Sequence, residues 1–250
     1  MRISNQQRRE LAMGRLIALR QTAPFRGRLK KLRKQQIDDL FKNLERVPLN
    51  DWIYAIPEFV TEPYMYDYLN KLYRIVGTSN AKRATEKFVN RKEDVWEGVM
   101  DSWFKQNAGS KILTITGSFK EWLTEEIGQQ LNEKLGIENI VQNIYKQTSL
   151  NYSEIAEWEI RRIVQTETMT ALNVSSSESV NALQIPYTKT WVISGNNTRP
   201  AHLMMDGVTI EANELFNVDG EDMEYPTDAS HGAGAGNIIN CACGVIHNPK

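Results

Sequence analysis

Apolar side chains recur at helical spacing along most of the first 186 residues. We expect a break at Pro24 and Gly27 and a loop over 47–57, where two prolines interrupt the pattern. The clearest helix start is Ser118, because Ser118 and Glu121 have the spacing of a capping box. The helices predicted in this way cover residues 29–44, 63–77, 81–104, 118–136, 138–147 and 153–186.

The pattern changes after Pro186. Residues 187–193 are β-branched and aromatic with partial alternation, which predicts a strand, and shorter strands are expected at 208–210 and 243–246. Seven of the 15 glycines fall in the last 60 residues, and 231–236 is expected to form an irregular loop. The predicted fold class is α+β, with a mainly helical N-terminal region followed by a helix-plus-small-antiparallel-sheet C-terminal domain.

Composition excludes several classes of protein. Hydrophobic residues make up 41% and charged residues 24% of the chain, which is ordinary for a soluble globular protein. No apolar run is long enough for a transmembrane helix, so we expect no membrane partner. The first 20 residues carry Arg and Glu in their apolar part and lack a small-residue cleavage site, unlike a signal peptide. Two cysteines exclude a disulfide scaffold and favour a reducing cytosol.

Positive charge is concentrated at the N-terminus. Residues 1–46 hold 13 of the 30 Lys and Arg and only four acids, a net charge of +9, so the remainder carries −10. A basic arm of this kind favours an anionic partner, either nucleic acid or an acidic protein surface, although a solvated helix face has the same composition. The residues expected to contact DNA are Arg8, Arg9, Arg15, Arg26, Arg28, Lys30, Lys31, Arg33 and Lys34. We divide the chain into a helical region, 1–117, and a C-terminal domain, 118–250, which contains a Gly-rich unit at 187–250.

Potential metal ligands are confined to the last 50 residues. Alternate residues of an extended chain point the same way, so Cys241 and Cys243 can face one ion. Thiolate and imidazole are the ligands that Zn²⁺ favours, and His202 with either His231 or His247 would complete four. The alternative is that both thiols are small buried hydrophobic groups and the histidines form hydrogen bonds.

Other chemistries have weaker support in the sequence. A metal-dependent nuclease could use His202, Asp206, His231 and Asn240, but their spacing matches no known motif. A Cys nucleophile would need a His base whose proximity the sequence does not reveal. The loop 232–236 has the glycines of a phosphate-binding loop without the Lys-Ser/Thr that follows them.

A series of motifs occurs in one order between residues 118 and 247. They are Thr166-Glu167-Thr168, a strand with Trp191, Thr198-Arg199-Pro200-Ala201-His202, Met205-Asp206-Gly207-Val208, Phe216, Tyr225-Pro226 and Ile239-Asn240-Cys241-Ala242-Cys243. Their order and spacing resemble the phage head-morphogenesis family named after phage Mu protein F, also called minor head proteins. Ala242 departs from the family pattern, which has Arg between the cysteines, so no role of that arginine is carried over. The motif residues implied by the resemblance are Thr166, Glu167, Arg199, His202, Asp206 and Asn240.

The resemblance implies a minor capsid protein of the virion that acts in head morphogenesis. Its expected partners are the portal protein, the major capsid or scaffold protein, and the phage genomic DNA, which the basic arm would contact without sequence preference. Its expected location is the head interior or the portal vertex, and the host cytoplasm during assembly. The resemblance implies no reaction. The alternative is a virion-carried enzyme, a nuclease or a transferase toxin, delivered with the DNA.

Two contacts are expected within the C-terminal domain. Glu167 should turn towards the C-terminal unit and form a hydrogen bond with Arg199 or His202; the alternative is an exposed helix acid. The loop with Cys241 and Cys243 should be held against the segment 199–202, because a Gly-rich unit of this size buries too little apolar surface to order itself.

Overall fold

The protein is described from a computed structural model, which covers residues 3–88, 93–148, 154–195 and 198–250. Six helices precede the first strand: α1 (Asn5–Leu44), α2 (Trp52–Phe59), α3 (Pro63–Thr85), α4 (Glu93–Asn132), α5 (Ile137–Thr148) and α6 (Glu154–Asn181). Strands and two short helices follow: β1 (Tyr187–Val192), α7 (Pro200–Met204), β2 (Thr209–Glu211), β3 (Phe216–Val218), β4 (Glu221–Met223), α8 (Ala235–Ile238) and β5 (Gly244–Pro249). The predicted α+β class is therefore confirmed. None of the described helices has the length and apolar composition needed to cross a membrane.

Three predicted helix boundaries are wrong. The expected break at Pro24 and Gly27 lies inside α1, the expected end at Gly77 lies inside α3, and the expected start at Ser118 lies inside α4. Tertiary packing overrides the local signals in each case. On α1, the buried Phe25 follows the proline directly. On α3, a Cβ added at Gly77 would lie 2.6 Å from the Met100 side chain, so the glycine permits close packing rather than ending the helix.

Chain contacts group the residues into two compact units. The first contains Met1–Ala23, Asn70–Asn107 and Val164–Lys250, and the second contains Pro24–Leu69 and Ala108–Ile163. Helices α1, α3, α4 and α6 each contribute residues to both units. The proposed division between residues 117 and 118 falls inside α4 and remains a prediction.

The second unit is an all-helical body with an apolar core. The core residues come from α1, α2, α4 and α5 and the connection after α2, and they are Ile37, Leu40, Phe41, Leu44, Trp52, Ile56, Val60, Phe119, Leu123, Ile127, Ile140 and Ile144. Arg33 enters the edge of this core, where its guanidinium lies 3.9 Å from the centre of the Phe119 ring. Only 5% of Arg33 is exposed, and it bonds Gln36 at 3.0 Å and Glu159 at 3.5 Å.

The first unit contains both sheets. Strand β1 lies at the centre of an antiparallel sheet with the order β2–β1–β5, and Trp191 of β1 is opposite Val245 of β5. Strands β3 and β4 form a separate hairpin. Residues 166–177 of α6 are buried without interruption although many are Ser, Thr or Asn. Their small side chains permit close approach, and hydroxyl groups such as Thr168 Oγ1 donate to the helix's own carbonyl groups.

The start of α1 contacts the C-terminal strands and loops of this unit. Gln7 Nε2 donates to Asn248 Oδ1 at 2.9 Å, and the guanidinium of Arg8 makes a two-point ion pair with Asp206 at 3.1 and 2.7 Å. Arg15 Nη2 donates to the Val192 carbonyl at 3.3 Å. These residues lie on one helix face, because Arg8 and Arg15 are seven residues apart.

DNA contact by the arm remains a prediction, but three of its arginines have partners within the protein. The guanidinium of Arg8 pairs with Asp206, that of Arg15 donates to the Val192 carbonyl, and that of the buried Arg33 lies over the Phe119 ring. Lys30 forms an ion pair with Glu157 at 2.7 Å. Of the nine residues predicted to contact DNA, the exposed ones are Arg9, Arg26, Arg28, Lys31 and Lys34.

Candidate metal centre

Cys241 and Cys243 lie in the turn between α8 and β5, where both thiols face His202 of α7. The Sγ atoms of Cys241 and Cys243 are each 3.5 Å from His202 Nδ1. The exposed fractions are 1% for His202, 3% for Cys241 and 1% for Cys243. The three ligand atoms lie within 4.8 Å of one another, so this group could hold a metal ion. The expected alternation of the Cys-Ala-Cys segment thus brings both thiols to one point.

Strand β1 and helix α8 orient the imidazole of His202. The ring of Trp191 meets it edge-on, with 5.5 Å between the centres. His202 Nε2 lies 3.0 Å from Asn237 Oδ1 and donates to it, because Asn237 Nδ2 donates to Glu221 Oε2 at 2.7 Å and to the Val218 carbonyl at 3.3 Å. The unprotonated Nδ1 of the neutral ring therefore faces the thiols.

Helix α6 holds the cysteine turn on both sides. The backbone N–H of Asn240 donates to Thr166 Oγ1 at 3.0 Å, and Asn173 Nδ2 donates to the Cys243 carbonyl at 3.0 Å. Asn173 Nδ2 also donates to the Pro226 carbonyl at 2.8 Å. Asn240 has a φ of +57°, a left-handed conformation that Asn adopts more readily than most residues.

Arg199 ties the helix α7 segment to the same turn. Its guanidinium donates to the carbonyl of Ile239 and, at 3.5 Å, to the carbonyl of Asn237. Together with the contacts of His202 to both cysteines, this confirms the prediction that the cysteine loop is held against the segment 199–202.

Electrostatics favour a thiolate in this group. The hydrogen bond from the Cys241 thiol lowers the pKa of the Cys243 thiol, and the same hydrogen bond together with burial raises the pKa of Cys241. Burial lowers the pKa of Arg15, while the charge of the two cysteines opposes that shift. Arg15 and Arg199 thus place positive charge beside the two thiols.

The two other histidines have different partners. His231 Nδ1 lies 2.9 Å from Asp228 Oδ2 and 3.0 Å from Ser230 Oγ, and the structure does not bring His231 to the cysteines. His247 is buried in β5, where its Nε2 is 3.3 Å from Ser177 Oγ. Burial, Lys87 and Lys189 lower the pKa of His247 to about 3, so it stays neutral. Within the described part of the chain, the metal-ligand group has three members, and the expectation of His231 as a fourth is not supported.

Asp206 links the segments that surround the site. Besides its ion pair with Arg8, Asp206 Oδ1 accepts the backbone N–H of Ile193 at 3.1 Å. Burial opposes ionisation, but these hydrogen bonds lower the pKa of Asp206 overall. The residues of the nuclease hypothesis therefore do not form one ligand group, because Asp206 is paired with Arg8 and His231 with Asp228.

Glu167 has a different described partner from the one expected. It is buried, so the alternative of an exposed acid is wrong, and its Oε2 accepts a hydrogen bond from Tyr73 Oη of α3 at 2.7 Å. Thr166, its neighbour, makes the contact with the cysteine turn.

Sequence reasoning missed three residues of this site: Asn173, Asn237 and Arg15. A lone Asn in a helix or in a Gly-rich loop carries no signal, because its partners are 16 to 70 positions away along the chain. The positive charge of residues 1–46 predicts only that Arg15 contacts DNA. Only the arrangement of helices and strands identifies their roles.

No family model matches the chain, and neither curated proteins nor solved structures provide a match.

We expect the hydrogen bond between Thr166 of α6 and Asn240 to stabilise the cysteine turn. Thr166→Val keeps the side-chain shape but removes the acceptor of the Asn240 N–H, and loss of this part-buried hydrogen bond should cost about 0.5–1.5 kcal/mol. Hydrogen exchange at residues 239–244 should accelerate accordingly. Thr168→Val is the matched control, since the Thr168 hydroxyl donates to the Val164 carbonyl of its own helix. Equal loss of stability and equal exchange in both variants would contradict the anchoring role.

Proposed function

We propose that this protein is a phage minor head protein whose C-terminal module is held together by a structural zinc ion on His202, Cys241 and Cys243. The observation that carries the proposal is the buried group of two thiols and one imidazole. It lies among residues of the motif series that resembles the minor head proteins.

The dimensions of the group suit zinc. Zn–S distances are about 2.3 Å and Zn–N distances about 2.0–2.1 Å, so sulfur and nitrogen ligands of a tetrahedral ion are about 3.5 Å apart. His202 Nδ1 is 3.5 Å from each sulfur atom. The lowered pKa of Cys243 and the positive charges of Arg15 and Arg199 favour the thiolate that the ion requires.

Burial of the ligands supports a structural role over a catalytic one. A catalytic zinc also has three protein ligands, but its fourth position must be open to substrate. Here at most 3% of each ligand residue is exposed. Other motif residues are occupied by contacts within the protein: Thr166 with Asn240, Arg199 with Ile239 and Asp206 with Arg8. We therefore favour a non-enzymatic protein over a virion-carried nuclease or transferase.

The assembly role accounts for the remaining charge on α1. In a head filled with DNA, the exposed Arg9, Arg26, Arg28, Lys31 and Lys34 would contact phosphate groups of the phage genome and release counterions. The portal protein and the major capsid or scaffold protein are the protein partners that we propose, with the virion head or portal vertex as the location. No base-reading motif accompanies the arm, so the DNA contact would be independent of sequence.

Zinc analysis tests the metal site. Purified protein should contain about one equivalent of zinc, and a chelator should lower its melting temperature because metal binding contributes folding free energy. His202→Ala and Cys243→Ser should lose most of the zinc, whereas His231→Ala, which changes a histidine outside the group, should retain it. Less than about a tenth of an equivalent in wild-type protein, with no effect of chelator on melting, would leave the cysteines as packing residues.

The salt dependence of DNA binding tests the exposed arm. Replacing Arg26 and Lys31 with Gln should reduce the slope of log K against log salt by up to about 1.8, since each phosphate contact contributes about 0.9. Lys71→Gln/Lys105→Gln removes two exposed positive charges elsewhere and should change the slope much less. An equal reduction in both double variants would mean that only net charge matters.

Mass spectrometry of purified particles tests the assembly role directly. Particles of the phage that encodes this chain should contain it in few copies relative to the major capsid protein. Particles that lack the chain, at a sensitivity that detects the portal protein, would overturn the proposal.

A further inference from the structure

We infer that Asn237 and Glu221 form a positioning pair that fixes the tautomer of His202 and thereby sets the affinity of the site for its metal. This inference rests on the proposed metal site. It concerns residues outside the ligand group and outside the motif series that the sequence indicates.

The direction of each hydrogen bond follows from the chemistry of the partners. Glu221 Oε2 and the Val218 carbonyl can only accept, so both require the amide nitrogen of Asn237, at 2.7 and 3.3 Å. The amide oxygen must then face His202, and only a protonated Nε2 satisfies it at 3.0 Å. A neutral imidazole carries one proton, so the lone pair of Nδ1 points to the thiols.

Glu221 is itself held in place. Its Oε2 also accepts the backbone N–H of Gly234 at 3.0 Å, and it begins β4 opposite Val218 of β3. Space around the carboxylate is tight, because a Cβ added at Gly234 would lie 3.0 Å from Glu221 Oε1. The hairpin, the N-terminus of α8 and the imidazole on α7 are therefore linked through one carboxylate and one amide.

This arrangement matters because the two tautomers of His202 have opposite effects on a metal ion. With the proton on Nε2, Nδ1 offers a lone pair at 3.5 Å from both sulfur atoms; with the proton on Nδ1, an N–H would occupy the position of the ion. Outer partners of ligating histidines fix orientation and tautomer, and their loss costs about 10- to 100-fold in metal affinity. Asn237 is a positioning residue in this sense, with Glu221 as its support.

Zinc affinity of the full chain, measured by competition with a chromophoric chelator, tests the pair. Asn237→Ala should weaken zinc binding about 10- to 100-fold, and ¹⁵N NMR of the His202 ring should show loss of the pure Nε2–H form. The matched control is Asn217→Ala in β3, whose amide contacts Asp222 and the Gly220 N–H on the exposed side of the same hairpin. The control should retain zinc affinity and tautomer.

Exchanging the chemical groups at positions 237 and 221 distinguishes a positioning role of Asn237 from a role in packing alone. Asn237→Asp keeps an acceptor for His202 but sets its carboxylate against Glu221, and zinc binding should weaken. Adding Glu221→Gln removes the negative charge that faces the carboxylate at position 237, so the double variant should recover part of the lost affinity and more of the Nε2–H tautomer than Asn237→Asp alone. A role limited to packing would give no such recovery.

The outcomes distinguish this inference from the metal site itself. Wild-type protein that binds no zinc would overturn the proposed site. Wild-type protein that binds zinc, with Asn237→Ala equal to it in affinity and tautomer, would overturn the positioning pair alone. If Asn237→Ala fails to fold, the comparison of Asn237→Asp with the double variant decides, and absence of recovery in that comparison overturns the inference.

Discussion

The attachment of the cysteine turn to α6 is the constraint on which the C-terminal module depends. Thr166 and Asn173 are seven residues apart, so they lie on the same face of the helix two turns from each other. One binds the backbone immediately before Cys241 and the other binds the carbonyl of Cys243. Both ends of the Cys-Ala-Cys segment are thus fixed to a rigid element, and the thiols are positioned before any ion is considered.

This attachment explains why a helix rich in polar residues is buried. A buried polar group costs stability unless it finds a partner, and most helix residues of this kind would be exposed. On α6 the Thr168 hydroxyl bonds its own helix, the Thr166 hydroxyl bonds the cysteine turn and the Ser177 hydroxyl contacts His247. Asn80 of α3 bonds the Leu172 carbonyl and Ser175 Oγ. Small side chains let strands and turns approach the helix backbone closely. The polar sequence of α6 is therefore a requirement of the module that it supports.

Positive charge on α1 has two separate roles. Near its start the charge has partners within the protein: Arg8 pairs with Asp206, and Arg15 lies beside the thiols. Further along, Arg26 and Lys31 are exposed, while Arg33 is buried over an aromatic ring. The net charge of +9 is therefore larger than the positive charge that the arm exposes to solvent. Buried arginines of this kind carry packing and hydrogen bonds as well as charge.

Periodicity and residue type in the sequence determined the fold class, the strand β1 and the location of α6, and they indicated the residues among which the buried group of His202, Cys241 and Cys243 is found. These features depend on neighbours along the chain: helical spacing, alternation in a strand, and two cysteines separated by one residue. The hairpin of β3 and β4 was also signalled, by Asp219-Gly220, whose φ values of +55° and +84° match the turn that this pair favours. The strands on either side are only three residues long, which is too short for a clear alternation of polar and apolar positions.

Only the tertiary structure decided the helix boundaries and the surroundings of the ligands. Gly77 does not end its helix, because it packs closely against Met100 of α4. Such packing stabilises the helix by more than the low helix propensity of glycine destabilises it. The partners of His202, Thr166 and Arg15 are separated from them by 35 to 177 positions, and no periodicity links such pairs. The sequence determined which residues could bind a metal; the fold decided which of them meet, because hydrogen bonds between remote segments exist only once the chain is folded.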